Sequence, residues 1–336
     1  MRIPLSLKSF FRSPRIIIIL VVGACVVVAA GVMGAQWYHN TPNQHISRAL
    51  NYLEESDAPI ARVDEALNAP LSTETTQQVR SALRAITVAR RALTHAQHEL
   101  DGLPYPTSTS LRPPTDMTST AAPSSPSTAS SAPATTAPAT RDQQITVRLA
   151  KVQRSLAARR ALLDSAPPLL DRTAQAAAAL NSAALGWQKL QDAAALTDTA
   201  QQQFAQQTQD ALVASHDTST QAADAYARAH EQFTAAARTL PEADFSAYLD
   251  YIGQRILMTQ SALLSCEDWI NGHYQDANAD VAAYNKFAQA AARIAGEGLQ
   301  LPSDLVASTY KQQTKAAQQT YDRARAEVLR ADAELR

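Results

Sequence analysis

Large apolar residues return along this 336-residue chain at alternating intervals of three and four, which gathers side chains on one face of an α-helix and not of a strand. Val79, Leu83, Ile86, Leu93 and Leu100 keep this rhythm, and Ile145, Leu149, Val152, Leu156 and Leu163 take it up again. Between residues 212 and 240 a heptad column of Leu212, Ser219, Tyr226, Phe233 and Leu240 runs beside Ala222, Ala229 and Ala236. Such a seam of large against small side chains lets two helices approach closely. Only nine glycines occur, so the chain is poor in the residue that makes tight β-turns and phosphate-cradling loops. The expected fold is all-α: one N-terminal transmembrane helix, then an elongated helical bundle with antiparallel coiled-coil hairpins, interrupted by a disordered Pro/Ser/Thr/Ala segment.

Residues 41–70 read as two short helices. Thr41-Pro42 opens the first, with Ile46, Leu50 and Leu53 on one face; Asp57 caps the second, which buries Ile60, Val63 and Leu67 and closes at Pro70. A longer helix from Ser72 ends at Asp101-Gly102. The composition then shifts to "PYPTSTSLRPPTDMTSTAAPSSPSTASSAPATTAPAT", residues 104–140. Proline breaks helices, and the remainder has too little apolar surface to offset the entropy of ordering, so this stretch is expected to be a disordered tip joining two arms of a hairpin over residues 72–165.

Pro167-Pro168 is expected to stop the second arm. A third helix then runs to about Leu196 with Leu180, Trp187 and Leu190 inward, and a fourth covers about 198–240. A fifth after Pro241 carries Phe245, Leu249, Ile252, Ile256, Leu263, Cys266 and Ile270 on its stripe. "NGHYQDANADVAAY" opens a sixth, ending near Gly296, and residues 303–335 form the last, with Tyr310, Ala317, Ala324 and Ala331 in one column and Tyr321, Val328 and Leu335 in another. Gly272, Tyr274, Ala277 and Val281 resemble the turn and second helix of a tetratricopeptide repeat, in which glycine permits the tight turn and the small alanine lets the helices touch. The resemblance covers one hairpin with no second repeat at that period, and implies a helical hairpin and nothing more.

Ahead of the helical pattern, residues 16–35 contain no charged side chain. As a helix they reach about 30 Å, the thickness of a bilayer's hydrocarbon core. Arg2, Lys8, Arg12 and Arg15 precede the run and no basic residue follows it until Arg48, so the positive-inside rule holds the N-terminus in the cytoplasm. Arg12, Arg15, Trp37 and Tyr38 are the expected membrane-interface residues, the two aromatic rings favouring the headgroup layer. Cleavage after Ala35 would put bulky Met33 at the third position before the cut, a poor signal-peptidase site. Val22-Gly23-Ala24-Cys25 resembles a bacterial lipobox, which would make Cys25 a lipidated N-terminus, but the apolar run continues ten residues past it. A retained signal-anchor is the favoured reading, with the lipoprotein as the alternative.

The expected organisation is a cytoplasmic tail (1–15), an anchor (16–35), extracytoplasmic helices including the first hairpin arm (41–103), the linker (104–140) and the main bundle (141–336). The tail is too short for a folded output domain. Arginine outnumbers lysine fourfold and alanine is abundant, as in proteins of GC-rich bacteria. Cys266 is the one cysteine beyond the anchor, so no intramolecular disulfide is expected there, and its place on an apolar stripe predicts a buried small hydrophobe.

Sequence patterns for nucleotide-binding loops, nucleophile elbows, zincin helices and di-iron carboxylates do not occur. No catalysis and no cofactor are expected. His95, His98 and Glu99 share one turn but make at most an incomplete metal ligand set. Residues 73–164 carry eleven Lys/Arg and six Asp/Glu, a net charge of +5, while residues 165–336 carry thirteen and twenty, or −7. Arg80, Arg84, Arg90, Arg148, Lys151, Arg154 and Arg159 are therefore the candidate contacts to an anionic lipid surface, an anionic wall polymer or the chain's own acidic half. No aromatic rings interleave with them to stack bases, and nucleic acid is not an expected partner. These features predict a single-pass plasma-membrane protein of the bacterial envelope, a scaffold for an envelope partner or for self-association; the alternative is a ligand-binding or export-associated subunit.

Overall fold

The structure, a computed structural model, describes residues 42–72, 74–103 and 141–336. Every regular element among them is a helix: α1 (Pro42–Asn68), α2 (Thr75–Asp101), α3 (Arg141–Phe204), α4 (Gln209–Thr239), α5 (Ser246–Asn271), α6 (Tyr274–Gly296) and α7 (Pro302–Leu335). No described helix is long and apolar enough to cross a membrane. The expected anchor over 16–35, with Arg12, Arg15, Cys25, Trp37 and Tyr38, and the linker 104–140 lie outside the described residues.

Two compact units emerge from the packing. The first takes the described residues of 42–56, 91–158 and 329–336. Ile46, Ala49 and Leu53 of α1 are buried there with Leu93, Ala96 and Leu100 of α2, Ile145, Leu149, Val152 and Leu156 of α3, and Ala331 of α7. Polar contacts fix the same elements: His45 Nδ1 lies 2.7 Å from Glu99 Oε2, the Tyr52 and His95 rings stack at 5.4 Å, and Ser155 donates to Asp332 at 3.0 Å.

The second unit takes the described residues of 57–90 and 159–328. Its centre is an alanine-lined seam: Ala176, Ala179 and Ala183 of α3 with Ala222, Ala229 and Ala236 of α4, closed by Leu190, Phe233, Phe245, Tyr248, Ile252 and Val306. The Phe233 and Tyr248 rings stack at 4.6 Å, and the edge of Trp187 meets Tyr248 at 6.2 Å. Gly186 admits this approach, since a Cβ there would stand 3.0 Å from Cδ2 and Cε2 of Phe233. The heptad columns read on α4 are both buried throughout.

Three expectations about helix ends are corrected. Residues 42–68 form one helix that continues through Pro59, so Asp57 lies mid-helix and caps nothing. The carbonyl that Pro59 leaves without a helical donor belongs to Glu55, an exposed residue open to water. Pro167-Pro168 does not end α3, which runs on to Phe204. Proline at 167 deprives the Leu163 carbonyl of its N–H partner, and Arg90 Nη2 replaces it at 3.4 Å while pairing with Asp164 Oδ1 at 2.7 Å. The separation between the expected third and fourth helices falls not near 197 but at 205–208, where Gln207 adopts φ 54° and Thr208 accepts from the Ala211 N–H at 3.3 Å as the N-cap of α4.

Leu83 also departs from the pattern. It is 36% exposed, while Ala82, Ala85, Ala89 and Ala92 carry the buried face of α2 beside Val79, Ile86 and Leu93. Alanine brings the neighbouring backbone close enough that the stripe centres on the small residues. The turn before α6 is as read: Gly272 at φ 78° gives α5 a left-handed C-cap, and the His273 N–H bonds back to the Asp268 carbonyl at 2.8 Å.

Candidate functional site

The seven candidate cations divide between the two units and between two chemical situations. In the second unit, Arg159 is buried on α3, 4% exposed in its side chain, and its Nη2 and Nε donate to Asp57 Oδ1 of α1 at 2.8 and 3.3 Å. Arg90 serves the proline-orphaned carbonyl and Asp164. Arg80 and Arg84, one turn apart on α2, are instead exposed and make no ion pair among the described residues, with Leu83 (36% exposed) and Val88 (55% exposed) on the same outer face.

In the first unit, Lys151 Nζ donates to the Glu334 backbone carbonyl and Arg154 Nη1 to the Glu334 carboxylate, each at 2.5 Å. Arg148 is exposed without an ion pair among the described residues. Four of the seven cations thus hold helices of their own unit together. Arg80, Arg84 and Arg148 keep their charge turned outward.

Histidine and carboxylate positions follow a similar division. His95 stacks on Tyr52, and Glu99 sits against His45 and, at 3.8 Å, Arg48. No group of three or more His, Cys, Asp or Glu side chains among the described residues is arranged to hold a metal ion. Trp187 belongs to the filled seam, and Trp269 packs on Tyr274 at 4.9 Å.

One feature of the second unit has no counterpart in the apolar periodicity. Between the C-terminal end of α3 and the middle stretches of α4, α5 and α6 lies a cavity of about 180 Å³. Ala200, Ala222 and Ala262 shape its wall, and Thr197, Ser215, Ser219, Thr259, Ser265 and Cys266 put hydroxyl or thiol groups on it. Cys266 is fully buried, as its stripe position predicts, and burial pushes its thiol pKa up despite the contact from Sγ to Ser215 Oγ at 3.6 Å. The trace this leaves in the sequence is a concentration of small hydroxyl residues at inward positions 215, 219, 259 and 265, although single buried hydroxyls such as Thr173 and Thr314 occur elsewhere in the same unit.

Comparison with known protein families, curated proteins and solved structures finds no match to this chain.

Proposed function

We propose that the chain is a non-catalytic, membrane-anchored scaffold of the bacterial envelope, held at residues 16–35 with its helices on the extracytoplasmic side, where α2 presents Arg80 and Arg84 to an acidic partner. The observation carrying this reading is the unequal treatment of the basic residues. Arg90, Lys151, Arg154 and Arg159 are taken up by intramolecular contacts, whereas Arg80 and Arg84 make no ion pair among the described residues and lie on a face that also exposes Leu83 and Val88. Cations beside exposed apolar side chains suit a protein surface with anionic and apolar groups, because both charge pairing and desolvation then contribute. The Arg90 contact to α3 supports the reading of α2 and the start of α3 as two arms of one coiled-coil hairpin.

The anchor and its orientation are tested by alkaline carbonate extraction and by protease treatment of intact spheroplasts. Retention in the membrane pellet with digestion of α1–α7 from outside is the expected result. Release by carbonate, or full protection from external protease, contradicts it.

A further inference from the structure

We propose that the cavity bounded by α3, α4, α5 and α6 is a binding site for a small, uncharged, largely apolar molecule that carries one hydrogen-bonding hydroxyl or N–H group. This goes beyond the scaffold reading and does not depend on it. Its volume, about 180 Å³, is of the order that accepts a single aromatic ring, since an apolar cavity of roughly 150 Å³ binds benzene. No lining residue bears a formal charge, so an ion would lose its hydration with nothing to replace it.

The polar groups on the wall define the rest of the ligand. Thr197 donates to the Ala193 carbonyl, Thr259 to that of Arg255 and Ser215 to that of Ala200, each at 2.8 Å, and Ser265 donates to that of Ala277 at 3.3 Å. Cys266 spends its S–H on Ser215. These groups have no proton left to offer, so their apolar faces form the wall. Ser219 is different: the residue is 1% exposed and lines the cavity, no hydrogen-bond partner holds its hydroxyl among the described residues, and its oxygen is not sealed from solvent, so it opens on the cavity. A ligand hydroxyl or N–H can take the place of the water that hydroxyl otherwise meets, for the modest net gain of one hydrogen bond. Access is at the rim, where Gln201 Nε2 donates to the Tyr284 hydroxyl beside exposed Asn285.

Phenol and toluene, alike in size and differing in the hydroxyl, are the probes. The full-length chain with Cys25→Ser, in detergent micelles, is treated with methyl methanethiosulfonate, and the protection of Cys266 is measured against probe concentration. Phenol is expected to protect saturably and about five-fold more tightly than toluene, the factor that one net hydrogen bond supplies. Ser219→Ala, which leaves the phenol hydroxyl without a partner, is expected to bring phenol down to the toluene value or below it, and Ala262→Leu, which fills the space, to abolish protection by both. The unsubstituted comparison of phenol with toluene stands alone if a variant fails to fold. Absence of saturable protection by either probe overturns the site, and equal affinity for the two before and after Ser219→Ala overturns the role of Ser219 and the ligand class.

Discussion

Replacing Gly186 by alanine tests the close seam between α3 and α4, because two opposing effects of known size meet at that residue. Within a helix, Gly→Ala gains about 1 kcal/mol from backbone entropy. At Gly186, however, the new methyl stands 3.0 Å from two carbons of the Phe233 ring and 3.2 Å from Gln232 Cβ, inside the usual 3.5–4.0 Å carbon contact by about 0.5 Å or more for the ring and about 0.3 Å or more for Gln232. Phe233 is fully buried and has Tyr248 stacked on it at 4.6 Å, so the ring has nowhere to retreat. Overpacking of this kind costs about 1–3 kcal/mol, and the single variant is expected to lose about 1 kcal/mol net. Phe233→Ala alone costs about 3–5 kcal/mol. In that background the methyl at 186 enters the vacated space, and its burial adds about 0.8 kcal/mol to the helical gain, so Gly186→Ala becomes stabilising by about 1–2 kcal/mol. Urea unfolding of the full-length chain in micelles, followed by tryptophan fluorescence at 25 °C, measures all four corners of the cycle. A gain of the same size in both backgrounds would refute the packing assigned to Gly186 and Phe233.

Two further outcomes concern the same unit. The Tyr248 hydroxyl donates to the Gln300 carbonyl, and burial, aided by Asp304, pushes its pKa up to about 12; a raised folded-state value means stability is complete below the ordinary tyrosine pKa near 10 and is lost as the pH rises through 12. Tyr248→Phe is expected to lower stability by about 1 kcal/mol at pH 8 and to make the decline between pH 10 and 12 shallower in pH-dependent urea titrations; an unchanged decline would contradict this. Pro167→Ala restores a helical N–H to the Leu163 carbonyl, now reached only by Arg90 at 3.4 Å, and is expected to raise stability by about 1–2 kcal/mol, part of the roughly 3 kcal/mol that an interior proline costs. A loss of stability would show instead that packing around α3 requires the proline's geometry.

The helical class and the identity of the buried columns were legible in the sequence because periodicity depends only on which residues are large and apolar. Leu212, Tyr226, Phe233 and Leu240 lie inside as their spacing requires, as do Ile145, Leu149, Val152 and Leu156. Helix ends were less legible, since proline breaks a helix only if the freed carbonyl finds no other donor. The donor at Leu163 comes from Arg90, 73 residues away, a distance no local pattern spans. Charge suffered the same blindness: Arg154 and Glu334 meet across 180 residues, and from sequence alone Arg154 looks the same as Arg84. Leu83 was misplaced because the pattern counted large residues and passed over Ala82, Ala85 and Ala89. The cavity left still less signal, for serine and threonine at inward positions read equally well as helix residues bonded to their own backbone.

What Arg80 and Arg84 face in the cell distinguishes a partner-holding surface of α2 from a merely solvated one. A photoreactive residue placed at Leu83, between them, and crosslinked in living cells before mass spectrometry, addresses this directly. Recurrent capture of one acidic envelope component, abolished when Arg80→Gln and Arg84→Gln are combined, is the predicted result. Capture that is indifferent to both substitutions, or that yields only other segments of the same chain, would contradict the proposal that this face of α2 holds a partner.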